Sequence, residues 1–475
     1  MSTQFDVFVI GGGPAGYHAA IRAAQLGLKV ACADMGMVGD QPAFGGTCLR
    51  VGCIPSKALL DSSRRFWELQ HALSDHGIKT DTPQIDVRAM VARKDRIVQQ
   101  FTKGIASLFK ANKVTPFFGK ATLHSQNTIQ IDYFDGQQHT VHATNVILAT
   151  GSKPATLPFI AVNGTSIVDN VGALSFSEVP KHLVIIGAGV IGLELGSVWR
   201  RLGAKVTILE AAEKLLPGAD AEIAKHAMRI FQKLGITLHF GAQVQNVVEN
   251  AADELTITYN IANKEHSLTG DKLLVAIGRR PSTAGVTTPD CAISIDKQGF
   301  IAVDAHNHTG VDGVWAIGDC VRGPMLAHRG FEEGIAVAEL IAGLPGHVNR
   351  ETIPWVLYTE PEIAWVGKTE EQLQQDGIPY RSGSFPFAAV GRAVAMGEAE
   401  GFVKVLAHAE TDRILGMHIM GANASELIHE GVLAMEFKGA ADDLARICHA
   451  HPSLSEAIHD AAMAVHKRAI HKIST

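Results

Sequence analysis

The chain opens on an unbroken apolar run, Asp6-Val7-Phe8-Val9-Ile10, too short for a helix and read as a buried strand. Gly11, Gly13 and Gly16 follow, and an alanine-rich stretch (Ala19, Ala20, Ala23, Ala24) predicts a helix. A second strand over 29–33 ends at Asp34. Small glycines let backbone close on a pyrophosphate, and the helix start offers free N–H groups and a positive dipole end. An acid after the second strand can accept from a ribose hydroxyl. Glycines at this spacing are weak evidence alone; the strand before, the helix after and the acid at the right distance make the pattern strong.

The same pattern recurs. A strand over 183–186 leads to Gly187, Gly189 and Gly192, a helix runs towards Leu202, and the next strand (205–209) ends at Glu210. Two dinucleotide sites are therefore expected. Glu210 would repel a 2′-phosphate, and Arg200 and Arg201 precede the strand instead of following it, so the second site is expected to take NAD and not NADP. The plain alternative for Glu210 is a solvated loop acid. Three further apolar strands end in small residues: 146–148 runs into Ala149-Thr150-Gly151, Ala276-Ile277-Gly278 closes the second unit, and Trp315 to Gly318 ends at Asp319. An acid at that last place could hold the ribityl chain of a flavin.

From about Thr352 the pattern changes. Apolar segments at 401–406 and 414–420 flank a polar turn at Glu410 to Asp412, and helices are predicted from about Ser425 to Phe437 and from Ser455 onward.

Composition narrows the class. A chain of 475 residues exceeds one ordinary core, and 46% hydrophobic with 19% charged residues is the balance of a globular protein. The net charge of −6 leaves no basic face for nucleic acid, and no apolar run reaches bilayer length. The first strand begins close to Met1, so no leader is expected. The expected compartment is the bacterial cytoplasm, or a mitochondrial matrix where a presequence has been removed. Six cysteines in so long a chain do not make a secreted disulfide scaffold, and a disulfide in such a compartment reads as catalytic.

Cys48 and Cys53 lie in Gly45-Gly46-Thr47-Cys48-Leu49-Arg50-Val51-Gly52-Cys53-Ile54-Pro55-Ser56-Lys57. On a regular helix they would be separated by about 7.5 Å along the axis, beyond disulfide reach. A bridge requires an irregular turn, which Gly46, Gly52 and Pro55 permit, with the helix proper starting near Pro55. The pair reads as redox-active, the alternatives being ordinary buried thiols or half a zinc site lacking its other two ligands. Cys32, Cys291, Cys320 and Cys448 have no partner at a telling spacing and are expected to pack as small apolar residues. No metal site is expected. Lys57 and Glu194 each fall in an apolar helix, where pairing relieves two costly charges; the alternative is that each reaches water separately. His451 and Glu456 lie five apart, in His451-Pro452-Ser453-Leu454-Ser455-Glu456. Glu456 either fixes the tautomer of a histidine base or closes a capping box with Ser453, and the residues alone leave both readings open.

The cysteine stretch resembles the redox-disulfide signature of the pyridine nucleotide–disulfide oxidoreductases, and among these the dihydrolipoamide dehydrogenases fit best, over essentially the whole chain. The resemblance implies FAD between the disulfide and the nicotinamide of NAD, with Cys53 the thiolate against the flavin and Cys48 the sulfur that exchanges with substrate. It implies that Lys57 and Glu194 pair beside the flavin, and it adds Thr47, Lys57, Gly119, Thr150, Gly151, Asp319 and Ala327 to the flavin set of Gly11, Gly13, Gly16 and Asp34. Gly187, Gly189, Gly192, Glu210 and Gly278 form the NAD set. His-Pro-x-x-Ser-Glu resembles the catalytic dyad, assigns His451 rather than His449 as base, and places the dyad in the other subunit's active site.

The implied fold is α/β: two Rossmann-like FAD- and NAD-binding domains and a C-terminal α+β dimerisation domain. Its division is 1–153 and 279–350 for FAD, 154–278 for NAD and 351–475 for the interface. The implied reaction is oxidation of protein-bound dihydrolipoamide with reduction of NAD. The implied partners are a second subunit and the lipoyl domains and acyltransferase core of 2-oxo acid dehydrogenase complexes, or the glycine-cleavage carrier; neither nucleic acid nor membrane is expected. Arg50 departs from the family, whose members commonly carry asparagine there; it could shift the thiolate's electrostatics but removes no catalytic group. Glutathione reductases are disfavoured by Glu210, mercuric reductases by a tail ending His471-Lys472-Ile473-Ser474-Thr475 without a cysteine pair, and an idle scaffold by the intact Cys–Cys–Lys–His–Glu set.

Overall fold

The first glycine-rich unit folds as its pattern predicts. In the computed structural model, which describes residues 3–79, 81–250 and 254–473, strand β1 (Gln4–Ile10) is buried along its last four residues. Helix α1 (Pro14–Gln25) turns Ala19, Ala20 and Ala23 inward, and β2 (Val30–Asp34) follows. Ser474 and Thr475, cited above for the tail, lie outside the described residues. Two helices come next, α2 (Gly46–Val51) and α3 (Cys53–His71), then the long α4 (Val87–Ala111).

Strand β3 (Thr115–Ser125) pairs parallel with β2 at its start and antiparallel with β4 (Thr128–Tyr133) beyond Gly119. Strand β5 (Gln138–Leu148) pairs antiparallel with β4 and then runs parallel to β1. The parallel order is therefore β3-β2-β1-β5.

The second unit repeats this topology. After β6 (Ile167–Val168) come β7 (His182–Ile186), helix α5 (Val190–Arg201), β8 (Lys205–Leu209), helix α6 (Ala221–Lys233), β9 (Ile236–His239) and β10 (Lys272–Val275). All pair parallel in the order β9-β8-β7-β10-β6. A three-stranded antiparallel sheet precedes β10. The chain then returns to the first sheet, where β11 (Val314–Ala316) lies parallel beside β5. The predicted strand into Asp319 is shorter than expected, because Gly318 (φ +71°) opens a 3₁₀ turn. Helix α7 (Ala327–Ile341) packs on α1, where Gly330 and Gly334 leave room for Ala15 and Ala19.

The last part is a five-stranded antiparallel sheet: β12 (Trp355–Leu357), β13 (Glu362–Gly367), β14 (Tyr380–Pro386), β15 (Phe402–His408) and β16 (Ile414–Gly421), in the order β12-β13-β16-β15-β14. Helices α8 (Ala424–Glu436) and α9 (Glu456–Val465) cover it, sharing a core of Val403, Val405, Ile419, Ile428 and Ile458.

A second core joins the units. Leu59, Leu60 and Phe66 of α3 pack with Leu193 and Trp199 of α5 and with Trp365 of β13. Trp199 is fully buried, and its indole N–H donates to the Ala173 carbonyl at 3.1 Å, satisfying the one polar atom that burial would otherwise strand. A charged tie sits nearby. Asp220 caps α6 with no exposure, and Lys404 of β15, 2% exposed, donates to its two oxygens at 2.9 and 3.1 Å and to Glu370 at 2.6 Å. No helix among the described residues is long and apolar enough to cross a membrane.

Candidate active site

The two cysteines sit on either side of a break. Gly52 separates α2 from α3 with φ −141° and ψ −117°, and a Cβ there would lie 2.8 Å from the Thr47 carbonyl oxygen. The helix thus begins at Cys53, two residues before the predicted Pro55, and the segment before it is itself helical. The break brings the two thiols into hydrogen-bonding contact. Both are free thiols in this structure. The Cys48 thiol donating to Cys53, helped by the Lys57 ammonium, holds Cys53 down at about 7 against burial and Glu194, which push up. Its place as first residue of α3 also favours an anion. The same hydrogen bond and burial push Cys48 far above the usual thiol range. Of the two, Cys53 is the more readily ionised.

Lys57 is one turn along α3 from Cys53. Its ammonium donates to both oxygens of Glu194 on α5, at 3.0 and 2.8 Å, so the alternative of two separate charges does not hold. Burial would lower Lys57, but Glu194 and Cys53 outweigh it and raise it, so the side chain stays a cation. Glu194, 3% exposed, also accepts from the Tyr358 backbone N–H at 3.1 Å, and the Tyr358 ring lies under the ammonium at 4.4 Å.

The two glycine loops are near copies. Gly11 (φ +110°) and Gly187 (φ +105°) take a conformation that L side chains avoid, and a Cβ on either would meet the carbonyl of Ala149 or Ala276. A Cβ on Gly16 or Gly192 would collide with the Gly11 or Gly187 oxygen. Gly189 differs: its φ of −78° suits any residue and nothing lies within 4 Å of its absent Cβ. The protein has no packing use for that glycine, and a ligand brought close to the backbone supplies one. Gly13 (φ −75°) is placed alike at the start of α1, with only the Gly46 Cα at 3.5 Å. Gly151 and Gly278, both at positive φ, also border open space. The loops fit a pyrophosphate on this ground.

Asp34 accepts from the Gly12 and Gly36 N–H groups, both at 2.6 Å, and Glu210 from Ala188 at 2.6 Å and Ala212 at 2.8 Å. Each carboxylate keeps lone pairs for a ribose hydroxyl. Glu210 is thus an ordered loop acid and not merely a solvated one. Arg50 faces Asp34: its guanidinium lies 3.6 Å from Asp34 Oδ1 and donates to the Gly46 carbonyl at 3.1 Å. Asp319 accepts from the Ser152 hydroxyl at 2.5 Å, and Arg279 reaches Ser152 and Thr47 at 2.7 and 3.2 Å, knitting the cysteine segment to both strand ends. Thr150 lies beside the buried Cys320. Gly119 marks where β3 leaves β2, its missing Cβ giving room to the Asp132 carbonyl, and Ala327 opens α7.

In the C-terminal part, His451 Nδ1 lies 2.8 Å from Glu456 Oε1, and Oε2 accepts from the Ser453 N–H at 2.9 Å. Glu456 thus does both jobs proposed for it, one oxygen on each, although the Ser453 hydroxyl turns to Ser455 and leaves the capping box half made. With Nδ1–H held by a carboxylate, Nε2 is left as an acceptor. The imidazole is 78% exposed, and no hydrogen bond or ion pair among the described residues joins it to the cysteines of its own chain. Cys448, expected to be packed, is exposed, because it lies in the loop before the dyad; Cys32, Cys291 and Cys320 are buried as expected.

Residues 5–334 match the pyridine nucleotide-disulphide oxidoreductase family, and 353–462 match its dimerisation domain. The chain belongs to the pyridine nucleotide–disulphide oxidoreductases. It is 52% identical over 474 residues to dihydrolipoyl dehydrogenase of Cupriavidus necator, covering 98% of this chain and 99% of that one. It is 46% identical to mitochondrial dihydrolipoyl dehydrogenase of Pisum sativum, covering 99% and 93%. A crystal structure of LpdA from Mycobacterium tuberculosis superposes with a TM-score of 0.89 at 26% identity, over 97% and 99% of the two chains.

Within this oxidoreductase three residues that contact the candidate site went unassigned in the sequence: Tyr358, Arg279 and Ser152. Tyr358 begins Tyr358-Thr359-Glu360-Pro361, a visible motif whose role lies in a backbone N–H and a ring face, which residue type does not announce. Arg279 stands in the strand end that closes the second unit, but its partners are more than a hundred residues away. Ser152 carries no signal at all.

Proposed function

We propose that this oxidoreductase acts as a dihydrolipoyl dehydrogenase: it oxidises protein-bound dihydrolipoamide at the Cys48–Cys53 pair and passes the electrons through FAD to NAD. The observation that carries the reading is the thiol pair itself, one member held as an anion by the other and by Lys57. The relatives named dihydrolipoyl dehydrogenase, matched over nearly their full length, support the substrate.

The chemistry of the chain's own groups follows. With the pair oxidised, His451 Nε2 takes the proton of a substrate thiol, and the resulting thiolate attacks the Cys48 sulfur, expelling Cys53 as thiolate. The second substrate thiolate attacks the mixed disulfide, releasing cyclic lipoamide and leaving Cys48 and Cys53 reduced. Two electrons pass to the cysteine pair; of the two substrate protons one rests on His451 and the other goes to the departing Cys48 sulfur, so Cys53 remains the thiolate. The Lys57 ammonium favours Cys53 as the leaving group, and the Cys48 thiol adds its hydrogen bond once the pair is reduced. The bound flavin, when present, supplies two-electron transfer from the reduced pair to the nicotinamide. Gly11, Gly13, Gly16, Asp34, Thr47, Lys57, Gly119, Thr150, Gly151, Asp319 and Ala327 would hold it, and Gly187, Gly189, Gly192, Glu210 and Gly278 would hold NAD. Lys57 and Glu194 anchor the cysteine helix against the second nucleotide unit.

The division of the chain into 1–153, 154–278, 279–350 and 351–475 belongs to the same reading. So does a homodimer in which His451 and Glu456 serve the partner's cysteines, with lipoyl domains and the acyltransferase core of a 2-oxo acid dehydrogenase complex, or the glycine-cleavage carrier, as substrate-bearing partners. The compartment proposed is the bacterial cytoplasm or a mitochondrial matrix. Stopped-flow reduction of the purified protein by dihydrolipoamide, followed by turnover with NAD and with NADP, tests the function. A thiolate-to-flavin absorption band with NAD-preferring turnover is expected; rapid reduction by NADPH with no response to dihydrolipoamide would refute the substrate.

A further inference from the structure

The two nucleotide loops differ in one charge. In each, the acid accepts from a backbone N–H 22 residues earlier and from another two residues later. Only the first has a guanidinium beside it: Arg50 pairs with Asp34 at 3.6 Å, the two side chains 17% and 10% exposed. Glu210 has no cationic partner among the described residues. The loop architecture therefore forms without a cation, as the second unit shows. The first unit is also shaped around it. At Gly36, where the second unit has Ala212, a Cβ would lie 1.6 Å from Arg50 Nη1 and 2.6 Å from the Ala43 carbonyl. Gly36 is not at positive φ, so its backbone does not call for glycine.

We propose that Arg50 is a positioning residue of the first nucleotide site, which by pairing with Asp34 fixes the ribose-binding carboxylate and sets how tightly the chain retains its flavin. This rests on the reading of that site as the FAD site. Both Asp34 oxygens already accept from N–H groups, so a protonated carboxyl would set an O–H against one of them. Burial pushes the Asp34 carboxyl above the usual range, and Arg50 with the N–H groups of Gly12, Gly36 and Met35 counters that push. The remaining titratable neighbour, Cys32, is buried with its pKa well up and is neutral. Removing Arg50 raises the carboxyl further, so the ribose-accepting anion is lost at a higher pH. Arg50 also donates to the Gly46 carbonyl of its own helix, two residues from Cys48, and so links Asp34 to the helix that carries Cys48.

The test compares the parent protein, Arg50→Gln and Arg50→Lys for FAD retained after gel filtration from acidic to neutral pH, with NADH affinity as an internal control. Arg50→Gln should bind FAD about tenfold more weakly at neutral pH, the factor that about 1.4 kcal/mol represents. Its acid limit of retention should move to higher pH, Arg50→Lys should recover part of both effects, and NADH affinity should stay unchanged. Equal retention in parent and Arg50→Gln overturns the proposal, and so does a loss that is uniform across pH and not relieved by lysine. A parent that binds no FAD at all overturns the site reading beneath it.

Discussion

A thiol ionises near neutrality only where its anion is stabilised, and at Cys53 the Cys48 thiol does this first, then the Lys57 ammonium and the backbone N–H. Alkylation of the reduced protein by iodoacetamide, read at the Cys53 peptide by mass spectrometry across pH, should show a midpoint at about 7. Cys48→Ala should raise that midpoint by about one unit or more, equivalent to about 1.4 kcal/mol. Lys57→Met should raise it less, because its amine acts through space. An unmoved midpoint in Cys48→Ala would mean that the thiol–thiol hydrogen bond does not set the anion. At this scale the sequence was legible wherever chemistry is rare. Two cysteines, a lysine and a glutamate in apolar helices, and a histidine with a nearby acid stand out by type. The Lys57–Glu194 pair was readable because neither charge has an inexpensive place alone. Arg279 and Ser152 were not, because their roles depend on what folding brings beside them. Arg50 was noticed for its unusual identity, yet the group it faces, Asp34, is sixteen positions away at the end of β2.

Helix ends decide the redox geometry. Period and glycine placement foretold an irregular turn near Cys48, but not that the turn consists of two helices meeting at Gly52. A glycine inside an apolar run can mark a cap, a bend or a close backbone approach, and here the backbone angles and the Thr47 carbonyl make it all three. Gly52→Ala should keep both thiols and move them apart, since its Cβ would meet that carbonyl at 2.8 Å. Its bridge should then be easier to reduce, read as a higher reduction potential against a thiol buffer, together with a raised Cys53 midpoint. Unchanged values for both would show that the turn relaxes around a methyl group. The repeated glycine loops were legible to within a residue because strand, turn, helix and acid each constrain the others. The antiparallel sheet was legible only in part: β15 and β16 show as apolar segments around a polar turn, whereas β12 is three residues long and carries too little pattern to announce itself.

How the parts are joined lies beyond local pattern, and two features carry it. One is the tie between α6 and β15. Burial alone would push Asp220 up, but His418 and Lys404 hold it below the usual carboxylate range, so its stabilising contribution is present at neutral pH and fades as pH falls through the lowered value. Lys404→Met leaves Asp220 buried without its cation and should cost about 3 kcal/mol or more at neutral pH, with the gap to the parent narrowing in acid; denaturant unfolding at both conditions measures it. The other feature is the dyad. His451 stands exposed on a chain whose own cysteines it does not contact, and Leu433 and Phe437, 61% and 79% exposed, present large apolar surface from the same dimerisation domain. On the proposed reading, a base in that position serves a second subunit. Cys48→Ala and His451→Gln should each be inactive as homodimers, one lacking the exchanging sulfur and the other the base. A heterodimer of the two, purified through different tags, has one site with both defects and one with neither, because the intact cysteine pair of one chain meets the intact dyad of the other. It should recover about half of the parental activity. If the dyad served its own chain, each chain of the heterodimer would still carry one defect, and the mixed enzyme would be as silent as its parents.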